Sequence, residues 1–124
     1  GLSQRKAEYL IGIANEVTSG QLDFDALQHL SGDAVQARLI KIRGIGAWTA
    51  DNFRLFALGD MDAWPVNDLA LQEGMKRLKH LQERPTGKQM EQLGASWQPY
   101  RGAGALVLWH IYGILVRRAT IGDI

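Results

Sequence analysis

Apolar residues recur along this chain at helical spacing. Ala7, Leu10, Ile11, Ala14 and Val17 form one stripe, with Ser3 placed to cap its start and Gly20 just past its end. Asp23-Phe24-Asp25-Ala26-Leu27 starts a short second helix, and Gly32-Asp33 opens a third that carries Val35, Leu39 and Ile40. The pattern predicts a fourth helix over about 47–58, with Ala50, Phe53 and Ala57 inward and Gly59-Asp60 as its stop. After a loop over 61–66 that contains Pro65, Asn67-Asp68 starts a helix continued by Leu71, Met75 and Leu78. Glu83-Arg84-Pro85-Thr86-Gly87 breaks the pattern, and Thr86 or Gly87 leads into a helix ending near Gly94. Trp97-Gln98-Pro99-Tyr100 opens the last helix, which is expected to run to about Arg118. Period-two alternation of useful length is missing, so strands are not expected. The predicted fold class is all-α, a single helical domain over residues 1–124 without internal repeats.

The last helix differs from the others. Residues 103–116 are almost continuously apolar apart from His110, which predicts a central helix buried all round. His110 is then expected to be a buried, hydrogen-bonded histidine. Gly102 and Gly104 are expected to let a neighbouring helix come close. His29, His80 and His110 are spaced without clustering, so no histidine metal site is expected.

Composition narrows the reading only a little. With 46% apolar residues the chain can build a core, and its net charge of +1 neither supports nor excludes nucleic-acid binding. Lys41 and Arg43 form one small basic group; Lys76, Arg77 and Lys79 form another that reads as a solvated helix face. With no cysteine, structural disulfides and thiolate-ligated zinc or iron–sulfur centres are excluded. No segment has the length and apolarity of a membrane span or a signal peptide, so an intracellular protein without a membrane partner is expected.

The most specific local signal is Ile42-Arg43-Gly44-Ile45-Gly46-Ala47-Trp48-Thr49-Ala50. A tight Gly-x-Gly turn joins two apolar helical patterns. Amides at the start of the second helix point outward and suit an anion, above all a phosphate. A lone carboxylate, Asp68, follows about twenty residues on, in Trp64-Pro65-Val66-Asn67-Asp68-Leu69. From its neighbours alone, Asp68 reads as the N-cap of the next helix.

Taken together, these features resemble the helix-hairpin-helix superfamily of base-excision DNA glycosylases, within it the DNA-3-methyladenine glycosylase II branch. The hairpin motif covers about 35–58. Flanking segments carry the likeness along nearly the whole chain. Gly1-Leu2-Ser3-Gln4-Arg5-Lys6-Ala7 is similar to the family's Gly-x-Ser-x-x-Lys-Ala helix entry, and Trp97-x-Pro99-Tyr100-Arg101 leads into a Leu108-Trp109 helix. The family's helical core has further helices before the point that matches residue 1. The resemblance therefore implies a carboxy-terminal piece of that core, with apolar faces left for an amino-terminal segment or a second chain to cover.

The same resemblance implies a function. The protein is expected to be a repair enzyme that acts on double-stranded DNA and hydrolyses the N-glycosidic bond of alkylated purines such as 3-methyladenine. Asp68 is the implied catalytic carboxylate, and Asn67 stands where many relatives carry a second acid. Gly44, Ile45, Gly46, Ala47 and Thr49 are implied to hold phosphate. Trp48, Asn52 and Trp109 are implied to line the base pocket, where an aromatic face attracts a cationic base. Asn52 departs from the aromatic that near relatives can place there. No cofactor is implied for the chemistry, but a structural Na+ or K+ is, held by the main-chain carbonyls of Ile40, Ile42 and Ile45. Relatives that also cut the backbone use a lysine two residues after the second hairpin glycine. Trp48 stands there, so a monofunctional enzyme is expected. The implied location is the nucleoid-associated cytoplasm of a bacterium or the nucleus of a eukaryote. The competing expectations are a helix-hairpin-helix module that grips DNA without chemistry, and an oligomerising fragment.

Overall fold

Local side-chain chemistry sets most of the helix starts. The computed structural model describes the backbone of residues 1–122 and the side chains of residues 1–119. Helix α1 (Gln4–Thr18) is capped by Ser3, α2 (Phe24–Leu27) by Asp23 and α3 (Gly32–Leu39) by Ser31. Asp68 caps α5 (Leu69–Leu78), and Thr86 with Gln89 forms a reciprocal capping box on α6 (Gly87–Gly94). Helix α4 (Ala47–Phe56) begins at Gly46 with no side-chain cap hydrogen bond. A short 3-10 turn, Ala95–Trp97, precedes the long α7 (Arg101–Gly122). Among the described residues there is no strand.

The chain divides into two units, Gly1–Leu58 and Gly59–Ile124. In the first, Leu22, Leu27, Val35, Leu39, Ile42 and Ala50 are buried, with Ile13, Ile45, Phe53 and Leu58 packed against them. The Phe24 and Phe53 rings meet at 5.8 Å. Arg38 ties α1 to α3 through Glu16 at 3.1 Å and through the Gln21 carbonyl.

Three positions on α4 and just after it differ from the expectation. Ala57 is exposed, while Asp51 and Arg54 of α4 are buried as an ion pair at 3.6 Å. Arg54 also donates to Gln36 Oε1, so polar partners on α3 cover a face that hydrophobicity alone does not reveal. On α1 the predicted stripe lies outward: Leu10, Ile11 and Val17 are exposed, and no residue of the helix is buried. Tyr9, Gly12, Ile13 and Glu16, at steps of three, four and seven, are the more covered side.

In the second unit, α5 and α7 pack closely, with Leu71, Met75, Ala105 and Leu108 buried. Gly74 of α5 makes the close approach, since a Cβ there would lie 2.8 Å from the Leu108 carbonyl oxygen. On α7, Gly104 leaves room for the Trp97 ring, and the buried Gly102 donates its amide to the Met61 carbonyl at 2.6 Å. Trp64 is buried, donates to the Met90 carbonyl at 2.9 Å, and meets Trp97 edge-on. Helix α7 is one-sided rather than buried all round. Leu106, Val107, His110 and Val116 are exposed, so the expected buried histidine is a surface residue.

Candidate nucleic-acid interface and catalytic carboxylate

The hairpin is built from a core-anchored turn. The Ile42 amide donates to the Leu39 carbonyl at 3.1 Å, and the Ile45 amide donates to the Ile42 carbonyl at 3.0 Å. In the four-residue turn 42–45, Gly44 takes φ +93°, the left-handed value that the third position of a type II turn requires. Ile42 is buried and Ile45 half-buried against the first unit's core, which leaves Arg43, Gly44, Gly46, Ala47, Trp48 and Thr49 exposed. Gln36 braces the turn from α3. Its Nε2 donates to the Ala47 carbonyl at 3.2 Å, and its Oε1 accepts from Arg54.

The two hairpin glycines differ in what requires them. A Cβ on Gly44 would run into the Tyr9 ring of α1, so that position is set by the turn and by Tyr9. A Cβ on Gly46 would meet nothing within 4 Å, and its φ of −93° suits any residue. Arg43 sits over the Tyr9 ring at 5.7 Å and 3.9 Å from Glu8. Tyr9 therefore supports the hairpin from below, a role that α1's own pattern does not announce.

Asp68 lies in the second unit and is 8% exposed. Its Oδ1 accepts from the Leu71 amide at 3.0 Å and from Trp109 Nε1 at 3.1 Å. The first bond is the N-cap. It sets the carboxylate at the positive end of the α5 dipole. The second joins it to one of the residues expected to line the base pocket. Asn67 is exposed and turns toward α6, where a Cβ on Gly87 would strike its Oδ1.

The loop before Asp68 is fastened to α7. Asp62 takes both guanidinium bonds of Arg101, at 2.7 and 2.8 Å, and accepts the Arg101 amide at 3.3 Å. The neighbouring Met61 carbonyl receives the Gly102 amide. Arg101 is visible in the sequence as part of Pro99-Tyr100-Arg101, but its partner lies 39 residues away and carries no local signal.

Of the other expected pocket residues, Trp48 is 53% exposed on α4 and Asn52 is half-buried. The Asn52 amide donates to the Trp48 carbonyl at 2.8 Å, one turn back on the same helix. The three carbonyls expected at a cation lie along 40–45, and that of Ile42 already accepts one amide. Among the described residues no three His, Asp or Glu side chains gather as around a metal ion.

The family model for the HhH-GPD superfamily base excision DNA repair protein matches residues 1–99. The chain belongs to this superfamily. It is 37% identical over 107 residues to a putative DNA-3-methyladenine glycosylase of Bacillus subtilis, an alignment covering 86% of this chain and 37% of that protein. The crystal structure of a DNA-3-methyladenine glycosidase from Bacillus halodurans superposes with a TM-score of 0.83 at 38% identity, covering 94% of this chain and 54% of the other. The Schizosaccharomyces pombe 3-methyladenine DNA glycosylase in complex with abasic DNA gives a TM-score of 0.83 at 33% identity, covering 88% and 53%. The chain thus spans about half the length of these solved superfamily members and a smaller share of the bacterial relative.

Proposed function

We propose that the protein is a monofunctional DNA glycosylase of base excision repair, acting on alkylated purines such as 3-methyladenine in duplex DNA. The observation that carries this is Asp68: a buried carboxylate at a helix start, oriented by two donors, in a superfamily whose similar members are named for that reaction. A module that only grips DNA needs no such group.

The chemistry follows from the residues. The target nucleotide must leave the stack, at a cost of a few kcal/mol that is smallest for a weakly paired base. The C1′–N bond breaks, its electron pair leaves with the base, and positive charge develops on the sugar. The Asp68 carboxylate stabilises that charge, orients the water whose oxygen bonds to C1′ and accepts the proton that this water gives up. Alkylation makes the base cationic, so the faces of Trp48 and Trp109 attract it, and Asn52 tunes which bases fit.

The hairpin amides at Gly44, Gly46, Ala47 and Thr49 hold the strand by phosphate, which positions it without reading sequence; the Ile45 amide, expected among them, is spent inside the turn on the Ile42 carbonyl. The carbonyls of Ile40, Ile42 and Ile45 fit a monovalent ion, since they are neutral oxygen donors and a carbonyl has two lone pairs. A bound Na+ or K+ would add positive charge to the turn. No helix among the described residues is long and apolar enough to cross a membrane. We assign the protein to the DNA-containing compartment of its cell.

Base release from methylated duplex DNA, measured with the full chain, tests the reading. Free 3-methyladenine and an intact abasic strand are expected. Borohydride added during turnover should trap no adduct, because Trp48 occupies the position where a lyase would hold its lysine. No base release, or an adduct mapping to a lysine, would overturn it.

A further inference from the structure

Trp109 enters the proposed reaction as an aromatic face, yet the structure engages it by its edge. Its Nε1 donates to Asp68 Oδ1 at 3.1 Å, and the Leu71 amide donates to the same oxygen at 3.0 Å. One cap bond leaves a carboxylate able to swing about its side-chain torsions. A second donor, from another helix, restricts that swing. We infer that Trp109 is a positioning residue, whose indole N–H fixes the orientation of the Asp68 carboxylate toward the sugar; this rests on the glycosylase reading above.

The surrounding architecture supports the assignment. The loop that ends at Asp68 is held to α7 at two places. Near its start, Asp62 grips Arg101 and the Met61 carbonyl receives the Gly102 amide. At its end, Trp109 reaches Asp68, eight residues further along the same helix, about 12 Å at the helical rise. One continuous helix thus sets the distance between the two attachments, and the N–H arrives where the carboxylate must stay. If Trp109 served only as a stacking face, this bond would not be needed, since other aromatic rings offer a face without a donor.

The test separates the N–H from the ring. Trp109→β-(3-benzothienyl)alanine, made by incorporating the amino acid whose ring carries sulfur where indole has N–H, keeps shape and face. Trp109→Phe keeps a smaller face and also lacks the donor. For both, the saturating single-turnover rate of 3-methyladenine release is expected to fall about 10- to 100-fold, the scale on which misplacement of a reacting group acts. The DNA concentration at half-saturation and the isostere's melting temperature should stay close to those of the unsubstituted protein. A rate retained by the isostere overturns the inference, whether Trp109→Phe is slow (the face alone matters) or melting falls (the bond is merely structural). Failure of the unsubstituted protein to release base would instead remove the glycosylase reading, and this inference with it.

Discussion

Helices α4 and α5 begin in opposite ways. At α4 the cap position is Gly46, exposed, with no side chain to bond the first-turn amides. At α5 it is Asp68, nearly buried, with its own carboxylate on the Leu71 amide. Both starts carry the partial positive charge of a helix N-terminus. One leaves that charge for an anion from outside. The other holds an internal anion beside it. On the proposed function, the same backbone property serves binding at α4, where the cap is missing, and chemistry at α5, where the charged cap is also buried.

The largest test of this contrast removes the internal charge. Asp68→Asn keeps an oxygen that can cap α5, so folding and DNA affinity should change little. Base release under single-turnover conditions should fall ~10²–10³-fold, the usual loss for an oriented electrostatic group. An unchanged rate would reduce Asp68 to a cap and erase the contrast.

Next in size is Gly44→Ala. The substitution puts a side chain at φ +93° and drives it into the Tyr9 ring. The cost should be about 1–3 kcal/mol of stability, read as a lower urea midpoint. If stability held and only DNA binding suffered, Gly44 would belong with Gly46 as a surface position.

The smallest effect is expected at Gly46→Ser, which supplies the missing cap. Stability should rise by a few tenths of a kcal/mol. Affinity should drop equally for methylated and unmethylated duplexes, because the hydroxyl competes with phosphate for the same amides and phosphate contacts carry no base information. Discrimination lost without affinity, seen in parallel binding isotherms, would place Gly46 in base recognition.

These two helix starts were legible in the sequence to different depths. The hairpin is local: the glycine pair, the apolar anchors Ile42 and Ile45 and the following helix lie within one short segment. The caps Ser3, Asp23, Ser31, Asp68 and Thr86 are local too, and the helix starts fell at or within a few residues of where they were expected. The contacts that give these segments their precision are not local. Trp109 meets Asp68 across 41 residues, Arg101 meets Asp62 across 39, and Tyr9 reaches Gly44 from a different helix. Periodicity also misled in two places. It identified an apolar stripe on α1 and a run over 103–116 of α7 that is almost continuously apolar apart from His110, but hydrophobicity does not say which face a neighbour covers. The chain leaves Leu10, Ile11, Leu106 and Val107 exposed.

The close contact at Gly74 bears on inheritance as well as on packing. Helix α5 carries the Asp68 acceptor at its start, α7 carries the Trp109 donor, and Gly74 touches the Leu108 backbone next to that donor. A single methyl group at position 74 must push the two helices apart, and with them the two ends of the hydrogen bond. On the proposed function, a residue with no functional group therefore holds a veto over the chemistry at Asp68. Variation there would then surface as slower base release rather than as an altered choice of substrate, and nothing about the glycine itself would advertise why.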